Sequence, residues 1–294
     1  MISNKPFSPS YLTFPCFLVN FPFTVDNKVP NNFLMTEYCD GTKYDYDRAF
    51  SQWMDLYNYI VSHNSLVYIL PSEGNFQDLP YVANLGCILP HIQNRDVIIL
   101  SNFTSLPRIG EDIVGRKFFS MMEYDVQQSP YKFEGEADLK WIRDNIYIAG
   151  YGIRTERETH DWLKETFGMD IISVLMNDEE LYHFDCSFLP LSPTKALVAT
   201  TVFCHEEIRA MEQILDIIPV PKKYLYYGWT NGLVMENKVL CAPYTIETGD
   251  EKSFRRLLSK HGFDLVVFNL SEFEKSGAAL SCLVMHLNYR NRTA

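Results

Sequence analysis

The sequence predicts an α/β protein built from five repeating units with the order β–β–α–β. Five segments have the apolar spacing of amphipathic helices, and a strand-like run follows each of them. The helices start near positions 44, 109, 156, 205 and 250, so their spacings are 65, 47, 49 and 45 residues. A quasi-period of about fifty residues indicates a repeat architecture. An ordinary open α/β sheet has the same alternation of strands and helices, and it stays the alternative at this point.

The helices are predicted from their apolar faces and from their ends. In the first helix, Trp53, Leu56 and Ile60 fall on one face, as in a helix that packs on a core. Thr155 is the predicted N-cap of the third helix, and Gly168 is its predicted end. The five predicted helix–strand pairs are Tyr44–His63 with Ser65–Leu70, Ile109–Met122 with Tyr124–Val126, Glu156–Phe167 with Ile171–Leu175, His205–Leu215 with Ile217–Val220, and Asp250–His261 with Phe263–Leu270.

Two more extended runs lie between each of these strands and the next helix. Examples are Tyr81–Leu89 with Asp96–Ser101, and Tyr182–Leu189 with Lys195–Thr201. No linker rich in proline or serine and no block of charge divides the chain. We therefore predict a single catalytic domain over residues 1–294. Its 47% hydrophobic and 21% charged residues are typical of a globular protein and exclude a disordered or fibrous chain.

The charge balance and the cysteines narrow the classes of partner and compartment. With 37 acidic and 26 basic residues the net charge is −11, and no basic stripe is present, so we expect no nucleic-acid partner. A small cationic ligand is compatible with this charge. No apolar run reaches the ~20 residues of a membrane helix, and the first residues lack the pattern of a secretory signal. Seven scattered cysteines indicate reduced thiols and a cytoplasmic protein.

Polar residues recur at equivalent places in the units, just beyond a strand. Carboxylates bind a cation, a thiolate attacks a carbon atom, and an imidazole moves protons, so such a set suits nucleophilic attack on a cationic carbon. Each residue alone also fits a structural role. Cys282 could be a core cysteine of an apolar strand, His183 a core histidine, and Glu134 a turn residue. The recurring residues are Asp78, Asn84, Glu134, His183, Asp185 and Cys282.

Together these segments resemble a known enzyme superfamily. Three segments, FEGEAD (Phe133–Asp138), YHFDCSF (Tyr182–Phe188) and LSEFEKSGAALSC (Leu270–Cys282), resemble the signature blocks of the guanidino-group-modifying enzymes. The resemblance runs from about residue 15 to residue 290, with the blocks in the same order and at similar spacing. Further matching segments are Pro30–Asn32, Asp78–Gly86, Pro107–Glu111, Ala149–Thr155 and Trp229–Val234.

This resemblance implies the pentein fold, a five-bladed α/β-propeller of ββαβ repeats, in agreement with the period found above. The blocks are most similar to those of the arginine dihydrolase and dimethylargininase branch. The sequence departs from that pattern at Ala137 and Ala278, where the pattern has glycine, and at Phe184, where it has leucine. A left-handed turn at Ala137 would be destabilising by ~1 kcal/mol, so the loop geometry there is a point to test.

The resemblance also implies a role for each candidate residue. Cys282 is the nucleophile, and His183 is the general acid and base. Asp185 follows His183 by two residues, so on a strand both side chains would point to one side. We expect no metal and no cofactor, because the histidines and cysteines have no ligand spacing. The implied substrate contacts are Glu134, Asp185 and Asn84 to the guanidinium, Asp78 beside them, Arg108 and Arg154 to the α-carboxylate, and Asn31 as a further contact.

Three functions remain open from the sequence. The first is hydrolysis of arginine or a related guanidino compound. Within it the dihydrolase, which forms ornithine, carbon dioxide and ammonia, is favoured over a deiminase or dimethylargininase because Asn84 stands where those enzymes tend to have aspartate. The second is an amidinotransferase, and the third is a binding protein with an inactive site. For Arg108 a surface arginine at the start of a helix is an equal alternative. A homo-oligomer is also left open.

Overall fold

The computed structural model describes residues 8–38, 43–73, 76–244 and 248–292. Cys39, one of the seven scattered cysteines, and the ends of the chain lie outside these ranges. Within them the strands form five sheets of three strands each. In every sheet the central strand is antiparallel to one neighbour and parallel to the other. The five-unit repeat predicted from the helix spacing is therefore confirmed.

The bounds of the regular elements in the described ranges are as follows. The helices are α1 (Phe33–Tyr38), α2 (Tyr46–Ser62), α3 (Glu111–Met121), α4 (Arg157–Phe167), α5 (His205–Glu212), α6 (Thr248–Ser259) and α7 (Ser271–Glu274). The strands are β1 (Cys16–Asn20), β2 (Leu66–Leu70), β3 (Gly86–Ile88), β4 (Val97–Leu100), β5 (Asp125–Gln128), β6 (Leu139–Arg143), β7 (Ile146–Gly152), β8 (Asp170–Met176), β9 (Phe188–Ser192), β10 (Lys195–Val198), β11 (Asp216–Pro219), β12 (Gly232–Met235), β13 (Lys238–Cys241), β14 (Asp264–Val267) and β15 (Met285–His286).

The five sheets form a ring. Four of them, β3–β5, β6–β8, β9–β11 and β12–β14, follow one another along the chain, each with its helix between the last two strands. The fifth sheet has the order β15-β1-β2, and Phe17 of β1 faces His286 of β15. Five apolar clusters fill the spaces between neighbouring sheets and connect all five sheets in a closed order. The hydrophobic core therefore consists of five parts, one at each contact between neighbouring sheets.

The helices lie close to their predicted positions. In α2 the side chains of Trp53, Leu56 and Ile60 are buried against β1, and each such side chain contributes roughly 1.5–3 kcal/mol on burial. Gly168 ends α4 with φ of 67°, as predicted. The predicted N-cap of α4 is wrong, because Thr155 donates its hydroxyl hydrogen to Asp138 instead. No helix among the described residues is both long and apolar enough to cross a membrane.

Short 3-10 turns precede the strands β3, β6, β9 and β15, where the sequence predicted extended chain. Two of them interrupt the predicted strands Tyr81–Leu89 and Tyr182–Leu189. The backbone of these turns pairs with no strand in the described part of the chain, and its N–H groups bond to carbonyls three residues earlier. The predicted polar residues therefore lie ahead of a strand, not beyond one. The four turns are Val82–Asn84, Gly135–Ala137, Phe184–Cys186 and Ser281–Leu283.

The two alanines that depart from the family pattern do not strain the chain. The left-handed residue of the Phe133–Asp138 turn is Gly135, with φ of 66°. In the last block it is Gly277, with φ of 69°. A Cβ atom at Gly135 would lie 2.8 Å from the carbonyl oxygen of Ala83, so this position requires glycine. Ala137 and Ala278 are outside the left-handed region, and the expected penalty at Ala137 does not arise.

Candidate active site

The turns ahead of the strands bring most of the predicted site residues to one cavity. Seven of the nine candidates line it. Of the remaining two, Glu134 bonds His183 of the cavity wall, and Asp185 bonds Ser281, the residue before Cys282. The lining side chains are largely buried, although most of them are polar or charged. The candidates that line the cavity are Asn31, Asp78, Asn84, Arg108, Arg154, His183 and Cys282.

His183 and Glu134 form a buried pair. The distance from His183 Nε2 to Glu134 Oε2 is 2.8 Å, and Arg154 Nη1 lies 3.2 Å from Glu134 Oε1. Burial raises the pKa of Glu134, but Arg154 and His183 outweigh it and hold that pKa well below its ordinary range. Glu134 is therefore a carboxylate, and it accepts a hydrogen bond from the N–H at Nε2. The Asn84 amide nitrogen lies 3.2 Å from the same Nε2.

Cys282 lies in the turn Ser281–Leu283 and is 5% exposed. Its Sγ atom is 3.7 Å from the amide nitrogen of Asn231. Burial, and next the charge of Asp185, raise the pKa of the thiol to about 12. The sulfur is therefore protonated at neutral pH, and a cation bound beside it would offset Asp185 and favour the thiolate.

Asp185 and His183 do not share one side of a strand, so that prediction is wrong. His183 caps the 3-10 turn Phe184–Cys186, in which Asp185 is the second residue, and period-two alternation does not apply there. His183 reaches Glu134 and Asn84, whereas Asp185 accepts a hydrogen bond of 2.6 Å from the Ser281 hydroxyl. The His183 side chain therefore contacts Glu134, and the Asp185 side chain contacts the turn that carries Cys282.

The two arginines are buried, which contradicts the surface alternative for Arg108. Arg108 pairs with Glu111 at 2.7 Å, and its Nη2 also donates to the backbone carbonyls of Asp78 and Tyr81. Its guanidinium lies 4.5 Å from the centre of the Phe103 ring. The side chains of Arg108 and Glu111 are only 4% and 1% exposed. Arg108 is thus held rigidly at the cavity wall.

Arg154, Asn31 and Asp78 are connected to one another. Arg154 donates to the backbone carbonyl of Asn31, and its guanidinium lies 4.8 Å from the centre of the Tyr182 ring. The amide of Asn31 donates to Asp78 at 2.6 Å. Burial raises the pKa of Asp78, and the charge of Arg108 opposes this rise. The predicted substrate contacts at this end of the cavity therefore form one polar network.

Sequence reasoning missed Asn231, which contacts the cysteine turn twice. Its Oδ1 accepts from the Ser281 backbone N–H at 2.9 Å, and its amide faces the Cys282 sulfur. Asn231 directly precedes β12, so it lies ahead of the strand that opens its unit, as Asn84, Glu134 and His183 do in theirs. The repeat contained a signal for Asn231, because the unit of β12–β14 was the one unit in which the sequence analysis named no recurring polar residue.

Asp138 binds the backbone of the turn that follows His183. Its carboxylate accepts hydrogen bonds from the Phe184 N–H at 3.0 Å and from the Thr155 hydroxyl at 2.7 Å. Burial raises the pKa of Asp138 to about 6. Asp138 thereby fixes the turn that carries His183. Among the described residues, no three His, Cys, Asp or Glu side chains are grouped to hold a metal ion.

Comparison with known proteins identifies the fold and the relatives. No protein-family model matches the chain. It is 28% identical over 245 residues to the bifunctional arginine dihydrolase/ornithine cyclodeaminase AgrE of Nostoc sp., covering 82% of this chain and 33% of AgrE. It is 25% identical over 246 residues to N(G),N(G)-dimethylarginine dimethylaminohydrolase of Mycobacterium tuberculosis, covering 83% of this chain and 77% of that enzyme. The chain thus spans about a third of the length of AgrE.

The same relationship holds in three dimensions. The crystal structure of AgrE in a ternary complex with ornithine and NAD+ superposes with a TM-score of 0.84 at 26% identity, covering 96% of this chain and 40% of that one. The chain therefore has the pentein fold, a ring of five ββαβ units, as the resemblance implied. It is a homologue of arginine dihydrolases and dimethylargininases, and the predicted resemblance is confirmed.

Proposed function

We propose that this protein hydrolyses the guanidino group of arginine or a related compound through a covalent adduct on Cys282. Within that class we propose an arginine dihydrolase that forms ornithine, carbon dioxide and ammonia in the cytoplasm. One observation carries the proposal, namely the convergence of a buried thiol, an imidazole, carboxylates and two buried arginines on one cavity. The homology to AgrE and to the dimethylargininase supports the same chemistry.

Substrate binding exchanges one ion pair for two. In the structure Arg154 pairs with Glu134. A substrate that carries both a carboxylate and a guanidinium offers Arg154 its carboxylate and offers Glu134 its cation. In this proposal Arg108 shares the carboxylate through its Nη1, because Glu111 and two carbonyls engage its Nε and Nη2. A carboxylate and a guanidinium match in the planar geometry of such pairs.

The first hydrolysis proceeds in two steps. The Cys282 thiol gives its proton to His183, and the thiolate attacks the central guanidino carbon. His183 returns the proton to a terminal nitrogen, the C–N bond breaks, ammonia leaves, and an amidino-thioether remains. His183 then takes a proton from water, the hydroxide adds to the carbon, and the C–S bond breaks. The products are the ureido compound and the regenerated thiol, with one water consumed and one ammonia released.

The second hydrolysis applies the same groups to the ureido compound. Cys282 attacks the ureido carbon and a second ammonia leaves, so that a thiocarbamate forms. Water releases the carbamate from the sulfur, and the carbamate loses carbon dioxide to give ornithine. Two waters are thus consumed for two ammonia molecules. Asn84 supports this choice, because an amide keeps the site less negative than a carboxylate and can bond a neutral ureido group.

A product assay tests the proposal. Purified protein is incubated with arginine, and citrulline, ornithine and ammonia are resolved by mass, with Cys282→Ser as the matched control. We expect one ornithine and two ammonia per arginine. One citrulline with one ammonia would make the protein a deiminase. An amidino group found on added glycine or lysine would make it an amidinotransferase, and no turnover would indicate a binding protein.

A second variant tests the role of Asn84. Asn84→Asp adds a carboxylate 3.2 Å from His183, where the amide nitrogen now lies. The added charge attracts a guanidinium but gains nothing from a neutral ureido group. We expect the product to shift from ornithine towards citrulline. An unchanged ratio would show that the identity of this residue does not select the product.

A further inference from the structure

Tyr81 lines the cavity but has no role in the mechanism above. Tyr81 stands midway between Asp78 and Asn84, three residues from each. The Tyr81 N–H donates to the Asp78 carbonyl at 2.9 Å, and the Asn84 N–H donates to the Tyr81 carbonyl at 3.2 Å. Successive turns of this tight kind place side chains three residues apart on one face. Asp78, Tyr81 and Asn84 accordingly all line the cavity.

The Tyr81 hydroxyl is buried without a partner. Tyr81 is 4% exposed, and its hydroxyl makes no hydrogen bond to the described part of the chain. The hydroxyls of Ser276 and Tyr44 lie close enough to influence it, but they bond to each other, and neither forms a hydrogen bond of normal geometry with Tyr81. A buried hydroxyl with no hydrogen bond is destabilising, and such groups are rare in folded proteins. Because Tyr81 lines the cavity, a ligand bound there is the group that could complete its bonding.

The chemistry of a phenol suits both forms of the substrate. A guanidinium has only N–H donors, and the oxygen atom of a hydroxyl accepts from them. A ureido group adds a carbonyl oxygen, to which the hydroxyl can donate. A carboxylate such as Glu134 can only accept, so it cannot bond that oxygen. Burial, and next the neighbouring Tyr44 and Asp78, raise the pKa of Tyr81 well above its ordinary value, so the hydroxyl keeps its proton.

We propose that the Tyr81 hydroxyl is a substrate-binding group that accepts a hydrogen bond from the guanidino group and then donates one to the ureido oxygen formed by the first hydrolysis. The hydroxyl thereby helps to retain the neutral intermediate in the site. This inference rests on the proposed function, because it takes a guanidino compound as the substrate. It assigns to the stretch Asp78–Asn84 three contacts at regular spacing, where two were expected.

The chain offers a matched control for the test. Tyr124 is 7% exposed, and its hydroxyl likewise has no partner among the described residues, yet it lines a different cavity. Removing either hydroxyl relieves an unsatisfied buried group, so Tyr81→Phe and Tyr124→Phe should both keep or raise the melting temperature. Only Tyr81→Phe should change the kinetics. We expect its kcat/KM for arginine to fall about fivefold to tenfold, as for loss of one hydrogen bond.

The second readout is the fate of the intermediate. With Tyr81→Phe, we expect a larger share of product to leave as citrulline, while Tyr124→Phe keeps the wild-type ratio. In the Cys282→Ser background, calorimetric titration should show that Tyr81→Phe weakens citrulline binding about tenfold, and arginine binding less. The carboxylates keep most of the affinity for the cation, which explains the smaller effect on arginine.

The outcomes separate the inference from the proposed function. If the wild type hydrolyses arginine and Tyr81→Phe matches Tyr124→Phe in rate, product ratio and affinity, the inference is wrong and the function stands. If the wild type releases only citrulline but Tyr81→Phe weakens citrulline binding, the dihydrolase proposal is wrong and the contact stands. If the wild type binds neither compound, both are wrong.

Discussion

The motif Phe133–Asp138 supplies two glutamates, and each of them bonds a histidine that also contacts an asparagine amide. One group faces the cavity and the other lies at the strand β15. Each histidine contacts both its glutamate and its asparagine. The cavity group is Glu134, His183 and Asn84, and the strand group is Glu136, His286 and Asn291.

The two groups differ in how the ring nitrogens are used. In the cavity group both contacts go to Nε2 of His183, and Nδ1 has no hydrogen bond to the described residues. In the strand group Nδ1 of His286 bonds Glu136, and Nε2 bonds Asn291 at 3.0 Å. His286 therefore has no nitrogen left to move a proton. We therefore expect a glutamate–histidine–asparagine group to be catalytic only where one ring nitrogen stays free and a thiol lines the same cavity.

The largest expected effect concerns Cys282, the thiol that lines the same cavity as His183. Cys282→Ser should lower kcat by at least ~10³-fold, because serine is a poor nucleophile without a matched base. The control is Cys241→Ser. Burial raises the pKa of Cys241 to about 12 as well, but its Sγ donates to the Trp229 carbonyl and it lies outside the cavity. Steady-state assays with arginine should show normal turnover for the control.

Replacing the histidines tests the comparison directly. His183→Ala should lower kcat by ~10²–10⁴-fold, the range for loss of a general acid and base. His286→Gln keeps a hydrogen-bonding side chain at β15 and should leave kcat within a few-fold of wild type. Thermal melts should show a lower melting temperature for His286→Gln, because Glu136 loses the imidazole to which it is bonded. Equal losses of kcat in both variants would break the comparison.

The charge of Asp185 gives the next effect in size. Because Asp185 raises the pKa of Cys282, Asp185→Asn should lower that pKa and increase the thiolate fraction at pH 8. Alkylation of Cys282 by iodoacetamide should then be about threefold to tenfold faster, since lowering a thiol pKa by about one raises the thiolate fraction about tenfold. Mass spectrometry of the Cys282 peptide measures the rate. Cys241 in the same digest is the internal control, and its rate should not change.

The smallest effect is a pH dependence of stability in the strand group. Burial raises the pKa of Glu136, but His286 outweighs it, so the pKa of Glu136 in the folded protein is lowered. A carboxyl group whose pKa is lowered by folding stabilises the fold above its unfolded pKa of ~4.3. This contribution is lost as the pH falls through the lower pKa of the folded state, because the unfolded chain then binds the proton more readily than the folded one.

Melting curves between pH 6 and pH 3 check this sign. The melting temperature of wild type should fall more steeply below about pH 4.5 than that of Glu136→Gln, which has no such proton to bind. Glu165→Gln on the exposed face of α4 is the control and should follow wild type. A Glu136→Gln curve parallel to that of wild type would show that protonation of Glu136 does not contribute to the fall in melting temperature at low pH.

The helices and the period could be read from the sequence because both are local patterns. The apolar stripe of α2 and the glycine that ends α4 depend on neighbours within two turns. The turns ahead of the strands could not be read in this way. Whether Tyr81–Leu89 is extended depends on whether another strand lies beside it, and apolar composition does not carry that information.

The chemistry of the site was also partly readable. The residue types at Cys282, His183 and Glu134 and their resemblance to known blocks pointed to one site. The structure brings Cys282 and His183 to one cavity wall, and Glu134 bonds His183. Asn231 and Glu111 were not read as site residues, because an asparagine or glutamate at a strand or helix start has many ordinary uses. Their contacts depend on which units become neighbours in the ring.

The sheet β15-β1-β2 ties the chemistry of the protein to the order of its folding. β15 begins three residues after Cys282 and pairs with β1, so the cysteine turn is anchored by a contact between Leu18 and Met285. Contacts between such distant parts of a chain form late, because they require the closure of a long loop. The four sheets between them can form from nearby segments. Catalytic competence should therefore return last on refolding, after the secondary structure, as a report that the ring has closed.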